Sequence, residues 1–471
     1  MNLNKKLAIA VSGAVLLMAG QFALADSTTD IVDALVSKGV LTEEEGKLIS
    51  KGAKSKSEAD AKANKSRISV GSFIDNATMY GDVRVRYERR DGDNASNGIG
   101  WDNNRFRGKL TWGIETKAGD WYSDLALTMS DNGRSDNATF GKEAMPGGKS
   151  EFALYMKRAM IGWNATPWLS IEAGRMKNPL YMVNAMVFDH DIVMQGANEK
   201  LKYTMGDTTL FANLGQWVYQ GEFNGSSNGG VTTTSRQNMI LAFQGGIDQK
   251  LGEQSSVKAA IGYYDYTANQ LSGTANAFKP ITGTNNVTYA NQGVNDLGIL
   301  DIPAEANFMV ASNIGIRPYA EYVVNTSASD RQRSAEAAGL TTGLDKDDTA
   351  WLVGLSVGSA KDFKSWAGKK MAKGDWSANL WYQETGIYAL DPNAVDSDIF
   401  DGRLNLKGTT FKGQYNIEDN VAFNFTGAYA TRKNDQYAAM PALKTDIGAT
   451  GAAGSNIKNF TLYQFDVTYK F

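Results

Sequence analysis

The sequence predicts an all-β protein, a transmembrane antiparallel β-barrel of about sixteen strands with a short N-terminal periplasmic helical segment. Three observations carry that expectation. Apolar and polar residues alternate with a period of two in one segment after another, the mark of strands with one greasy and one wet face. The links between these segments alternate between short and long, so one end of the sheet is tight and the other elaborated. The last segment, Asn459 to Phe471, ends on an aromatic residue; Tyr463, Phe465, Val467, Tyr469 and Phe471 share a face, with Gln464, Asp466, Thr468 and Lys470 opposite.

Composition agrees. The chain has 471 residues with 49 Gly, 8 Pro and 10% aromatics, a balance that suits strands and turns rather than a helix bundle. Neither apolar nor polar residues form long runs, as expected when polar side chains point in and apolar ones out. There is no Cys, which excludes a disulfide framework, a thiolate metal site and a thiol nucleophile. A single His speaks against histidine-based catalysis and metal clusters, so no metal and no cofactor is expected. A net charge of -3 argues against nucleic acid as a partner.

Residues 1–25 read as a cleaved signal peptide: Lys5 and Lys6, the apolar stretch Leu7 to Met18, and Ala23, Leu24, Ala25 before Asp26. After it no apolar run is long enough for a helix to cross the inner membrane. In 26–52 the period changes to that of two short amphipathic helices. Ile31, Leu35 and Val36 form one apolar side, and Thr42 opens the second helix with Glu43, Glu44 and Glu45 in its first turn, where acids suit the helix dipole. Such helices bury little alone and pair with each other, with neighbouring subunits, or with peptidoglycan or another periplasmic contact. Residues 53–76 are a Lys, Ala and Ser tether, and the barrel occupies 77–471.

The first strand, Met79 to Arg90, sets Val83, Val85 and Tyr87 against Arg84, Arg86 and Glu88. The second, Arg105 to Glu115, sets Phe106, Leu110, Trp112 and Ile114 against Arg105, Arg107, Lys109 and Thr111. Strands follow at 121–130, 153–164 and 168–176, then near 198–205, 208–218, 237–250, 254–267, 307–314, 316–325, 349–359, 375–385, 401–415, 420–432 and 459–471. A turn is expected near Arg317 and Pro318, and the link 361–374 is long where a short one is due. Segments of about nine to eleven residues suit a tilted crossing of the hydrocarbon layer, and closure avoids unpaired backbone groups there.

The signal peptide, the segment Val40, Leu41, Thr42, Glu43, Glu44, Glu45 and the strand ending in Phe471 together resemble the porins of Gram-negative bacteria that carry a periplasmic helical preface. Lys157, Arg158, Ala159, Met160, Ile161, Gly162, Trp163, with Ile171 to Arg175 and Met176, Lys177, Asn178, Pro179, is similar to the middle of phosphate-selective porins. The resemblance implies a homotrimer in the outer membrane, in contact with its lipid. It also implies a water-filled channel narrowed by the loop after the fifth strand, and a C-terminal strand read by the barrel assembly machinery.

That loop is 177–197. Unlike its neighbours it is apolar, with Tyr181, Met182, Val183, Met186, Val187, Phe188, Ile192, Val193 and Met194. Folded inward it packs on the wall and presents Asp189, His190 and Asp191 to the lumen as the pore constriction, with Glu199 as a further carboxylate. Arg84, Arg86, Arg105, Arg107 and Lys109 form a basic wall opposite, giving a transverse field that biases the pore towards anions or zwitterions. The expected function is passive diffusion of small hydrophilic solutes and ions. Its alternative is a channel selective for anions or phosphate-like solutes, and an outer-membrane β-barrel enzyme is the different-class alternative. Asp391, Asp396 and Asp398 read as solvated external loop residues. Arg at Val467 is expected to impair assembly, and Arg at Asp466 to be tolerated.

Overall fold

The computed structural model describes residues 74–93, 100–130, 135–141, 152–220, 238–252, 254–267, 297–330, 332, 346–359, 372–436 and 458–471. The signal peptide, the helical segment, nearly all of the tether and most of the link 361–374 lie outside the described residues.

Among them, seventeen strands form one closed sheet. In chain order they are β1 (Asn76–Asp93), β2 (Gly100–Ala118), β3 (Trp121–Ser130), β4 (Ala138–Thr139), β5 (Ala153–Thr166), β6 (Leu169–Lys177), β7 (Val193–Met205), β8 (Thr208–Gln220), β9 (Asn238–Lys250), β10 (Ser256–Tyr266), β11 (Gly298–Ala311), β12 (Ile314–Asn325), β13 (Thr349–Ser359), β14 (Trp376–Thr385), β15 (Leu406–Glu418), β16 (Val421–Arg432) and β17 (Asn459–Lys470). The two-residue β4 only extends the sheet beside Arg107 and Gly108 of β2, so sixteen strands make the wall. Sequential strands pair antiparallel, and β17 returns to β1 from Asp82↔Lys470 to Asp91↔Thr461. The seam is tied at its foot: Gly81 N donates to Phe471 O at 2.9 Å, and Phe471 N donates to Gly81 O at 3.0 Å. No sheet edge is left for the hydrocarbon layer to strand.

Tight links are confined to one end. Gly119–Asp120, Pro167–Trp168, Gly206–Asp207 and Asp419–Asn420 join their strands in two residues, and Gly119 (φ 58°) and Gly206 (φ 57°) supply the left-handed backbone such turns need. The turn expected near Arg317 and Pro318 is at 312–313, and β11 starts at Gly298, well before 307. Proline misled the expectation: Pro303 and Pro318 lie inside strands, where each gives up one donor but keeps its register. Likewise β15 begins at Leu406 rather than 401.

The two faces divide as the period requires. Val83, Val85, Trp112, Leu125, Ile161, Leu380, Tyr463, Phe465, Val467, Tyr469 and Phe471 are exposed on the outside, while Arg86, Glu88, Arg107, Asp124, Gln464 and Asp466 are buried within. Rings pack across strands on the outer face, Trp121 stacked on Trp163 at 5.7 Å and Phe425 tilted against Phe465 at 5.1 Å. A β-bulge where β3 meets β5, between Ala126 and Leu127, turns both Lys157 and Arg158 inward.

Val467→Arg places a cation in the apolar band and is expected to cost about 2–4 kcal/mol, whereas Thr204→Arg, on the inner face near the tight end, assembles normally. Loss of the heat-modifiable band on a semi-native gel for the first variant alone is the check. Asp466→Arg is not the neutral control it promised to be. Asp466 takes a bidentate bond from Arg86 at 2.7 and 3.0 Å, so an arginine there would oppose Arg84 and Arg86.

The apolar core lies inside the barrel and to one side. Trp217, Ile240, Tyr264, Tyr319, Val323, Leu352 and Trp381 form the inner wall of β8–β14 there, and loop side chains fill the space against them. The opposite wall, β1–β3 with β15–β17, is lined by charge.

Candidate functional site

Among the described residues two long loops, not one, enter the barrel. The first, 178–192 between β6 and β7, buries Leu180, Val183, Met186, Val187 and Phe188. Phe188 sits edge-on to Tyr264 at 5.3 Å. Its backbone is fastened to the wall: Tyr181 N donates to Gln244 Oε1 at 2.8 Å, Gln244 Nε2 donates to Tyr181 O at 2.9 Å, and Arg317 donates to Val183 O at 3.0 Å. The second loop, 386–405 between β14 and β15, buries Ile387, Tyr388, Leu390, Val395, Ile399, Phe400 and Leu404. Asn325 Nδ2 holds the Tyr388 carbonyl at 2.7 Å.

The loops grip each other across a seam. Asp189 N donates to Ala394 O at 2.7 Å, and Ser397 donates to Asp189 Oδ2 through both N (2.9 Å) and Oγ (2.7 Å). The carboxylates of the seam face the charged wall across a cavity of 290 Å³. Asp189, His190, Asp191, Asp396 and Asp398 line it from the loops, and Arg84, Arg86, Lys109 and Lys412 from the wall.

Partners across the gap are close. Arg86 lies 3.2 Å from Asp398, Lys109 is 3.6 Å from Asp191 and 3.5 Å from Asp136, and Lys157 is 3.9 Å from Asp191 and also paired with Asp136. Behind this front, Glu88 is fully buried among Arg90 (2.8 Å), Arg105 (2.6 Å), Arg86 (3.9 Å) and Arg107 (4.0 Å). Arg90 also reaches Asp401 at 2.6 Å.

The loop groups titrate unevenly. Burial, then Asp396, Asp191 and Asp398, push the Asp189 carboxyl up to about 7. Burial also raises Asp396. It works the same way on Asp191 and Asp398, but there the cations win: Lys109 and Lys157 hold Asp191 below the usual range, and Arg86, Arg84 and Arg107 hold Asp398 below it. Burial and then Lys412 bring His190 down to about 4, so its imidazole is neutral at physiological pH.

The expected residues therefore part company. Asp189, His190, Asp191, Arg84, Arg86 and Lys109 share one cavity. Arg105 and Arg107 stand behind it, engaged with Glu88. Glu199 is on the other side of the wall: it pairs in register with Ile171 and Leu214, whose row continues to Trp163 and Phe243 on the outer face. It belongs to β7, which starts at Val193, and not to the loop. Asp391, Asp396 and Asp398 are not external: Asp391 is fully buried, and the other two line the lumen. The signal for the second loop was its apolar content, which matches that of the first; for Lys412 it was the inward parity of β15.

The sequence matches the profile of a porin family, described as "Putative porin", over residues 93–297 and 293–447. The chain belongs to this family. It is thus an outer-membrane porin, a channel-forming barrel with its lumen narrowed from within. Two solved porins resemble this one in fold. OprB of Pseudomonas putida, determined at high pH, is 11% identical with a TM-score of 0.46, over 84% of this chain and 94% of its own. The anion-selective porin of Comamonas acidovorans is 10% identical with a TM-score of 0.43, over 84% and 99%. No curated protein matches the porin's sequence.

Proposed function

We propose that this porin passes small hydrophilic solutes and ions by diffusion through an eyelet whose walls carry opposite charge. The supporting observation is the single cavity bounded by loop carboxylates on one side and by Arg84, Arg86, Lys109 and Lys412 on the other. Such a field orients water and dipolar solutes across the path and penalises apolar ones, which cannot replace that ordered water. Charges of both signs alternate closely, so zwitterions and polar neutrals suit the gap, and ion preference is weak. Lys109→Glu with Lys412→Glu leaves the gap acidic; reversal potentials in a salt gradient should swing towards cations, and an unchanged potential would remove the wall from the mechanism. A second reading, preference for anions or phosphate-like solutes, draws on the arginine cluster Arg84, Arg86, Arg90, Arg105 and Arg107. Its mark would be a strongly anion-selective parent channel in the same experiment.

The seam adds a pH dependence. The folded state holds a proton on Asp189 that the unfolded chain releases, so this contribution to seam stability is present at mildly acid pH and is lost as pH rises through about 7. His190, lowered to about 4, does not titrate in that window. Single-channel current is therefore steadier at pH 5 than at pH 8, and Asp189→Asn flattens the difference. Equal noise in parent and variant at both pH values would exclude Asp189 as the titrating group.

In this proposal residues 1–25 are removed on export, the mature chain forms a homotrimer, the C-terminal strand is the signal for barrel assembly, and the N-terminal helices make periplasmic contacts.

A further inference from the structure

Between the first loop and the tight link Pro167–Trp168 lies a second cavity of 590 Å³, larger than the one at the eyelet. Its sides differ in kind. Tyr181 and Met182 of the loop and Phe211 of β8 make one side apolar, while Lys202 of β7 and Lys258 of β10 bring charge. Among the described residues that line it, Asp248 of β9 is the one acid with no bond to a neighbour.

Cations along the lumen typically stand against acids. Lys109 lies 3.6 Å from Asp191, Arg158 2.7 Å from Asp124, Lys177 3.2 Å from Glu115 and Arg317 2.7 Å from Glu305; Lys200, which also borders this cavity, is paired with Glu172. Lys202 and Lys258 break the pattern: among the described residues neither has an ion pair. For Lys258 an acid is at hand. Its register partner across β9 and β10 is Asp248, yet its ammonium sits instead 4.3 Å from the centre of the Tyr181 ring and 4.8 Å from that of Phe211. Gly246, the register partner of Phe211, makes room for this arrangement, since a Cβ there would come within 2.3 Å of the Phe211 ring. Phe211 is in turn the register partner of Lys202. Lys258 therefore directs its charge past an acid and towards the strand position opposite a second lysine. Ring faces hold a cation through their quadrupole without neutralising it. Like charges gathered on one face repel, and an anion between them relieves the repulsion.

We propose that this cavity is a binding station for singly charged organic anions with an apolar body, such as small aromatic carboxylates. The carboxylate sits between Lys202 and Lys258, and the body lies against Tyr181, Met182 and Phe211. Two unpaired ammonium groups beside Asp248 favour a single negative charge over a double one, and the volume falls within the range of about 300–1,000 Å³ usual for small-molecule sites. Chloride or phosphate gains nothing from the apolar side. The inference rests on the diffusion channel proposed above and names a class of solute that dwells beyond its eyelet.

Single channels in a planar bilayer test it with four solutes: benzoate, acetate, benzamide and inorganic phosphate. Benzoate should interrupt the ion current roughly fivefold more strongly than acetate or phosphate, which lack the body, and than benzamide, which lacks the charge. Its entry is faster from the compartment at the tight end, because from the other side the eyelet stands in the way. Lys202→Gln should raise the half-blocking concentration of benzoate roughly fivefold or more, and Lys258→Gln likewise, with Lys258→Arg recovering it. Lys202 is exposed and sits on neither ring. If Lys258 serves only to hold the loop, Lys202→Gln keeps the parent value, and that result overturns the station. Equal interruption by benzamide or by phosphate overturns it too. If the protein forms no conducting pore, the channel reading fails with it; if it conducts salt and ignores benzoate, only the station fails.

Discussion

Glu88→Gln should lower the unfolding free energy of the barrel by about 3–5 kcal/mol. The Glu88 carboxylate is fully buried, bonded to Arg90 and Arg105, within 4.0 Å of Arg86 and Arg107, and it accepts from Gln464 Nε2 at 2.8 Å. An amide keeps the shape but removes the charge, and it turns one acceptor into a donor pointed at guanidinium groups. The arginines then repel across β1 and β2, where Arg86 and Arg107 are direct cross-strand partners. Asp466, Asp398 and Asp401 still neutralise part of the cluster, which keeps the loss finite. Urea midpoints in detergent should show it, with Glu88→Asp recovering part of the difference. The matching change at Glu384, on the outer face where it accepts a hydrogen bond from Tyr382 OH at 2.7 Å, gives a shift within about 0.5 kcal/mol. Equal midpoints for the Glu88 variant and the parent would mean the cluster contributes nothing to stability.

The wall was legible because its code is local. A period of two needs no partner to be read, and every strand with uninterrupted alternation was placed near its observed position. The misplaced pieces are those where a local cue conflicts with a distant one. Pro303 and Pro318 carry the local signature of a turn, but cross-strand pairing on one side of each, Pro303 with Glu321 and Pro318 with Leu355, overrides it. Loop 386–405 carries Asp391, Pro392, Asp396, Asp398 and Gly402, the composition of a solvated loop, yet Ile387, Leu390, Val395, Ile399, Phe400 and Leu404 alternate with them. Its acids are stable inside only because Arg86, Arg90 and Lys412 wait on strands far away in sequence, and no local pattern reveals that. Glu199 was readable and was misread. Leu201, Tyr203 and Met205 set the outward parity of β7, and counting back by twos places Glu199 with them.

Replacing residues 391–402 by a short glycine turn should raise single-channel conductance roughly twofold or more and move selectivity towards anions. The deletion takes away Asp396, Asp398 and Asp401 and leaves Arg84, Arg86, Arg90 and Arg107 on the wall, so the gap widens and loses negative charge together. The strand pairing of β14 with β15, from Trp376↔Tyr415 to Thr385↔Leu406, does not involve the removed segment, so the barrel still closes. The first loop loses its bonds to Ala394 and Ser397 but keeps those to Gln244 and Arg317, so it stays near the β8–β12 wall. A constriction made by 178–192 alone predicts a different result, with conductance and reversal potential close to those of the parent. The two measured quantities separate the explanations further. Wider bore with unaltered ion preference would mean the acids of the second loop act as filler, whereas a shift in preference at constant conductance would mean they set the field without setting the gap.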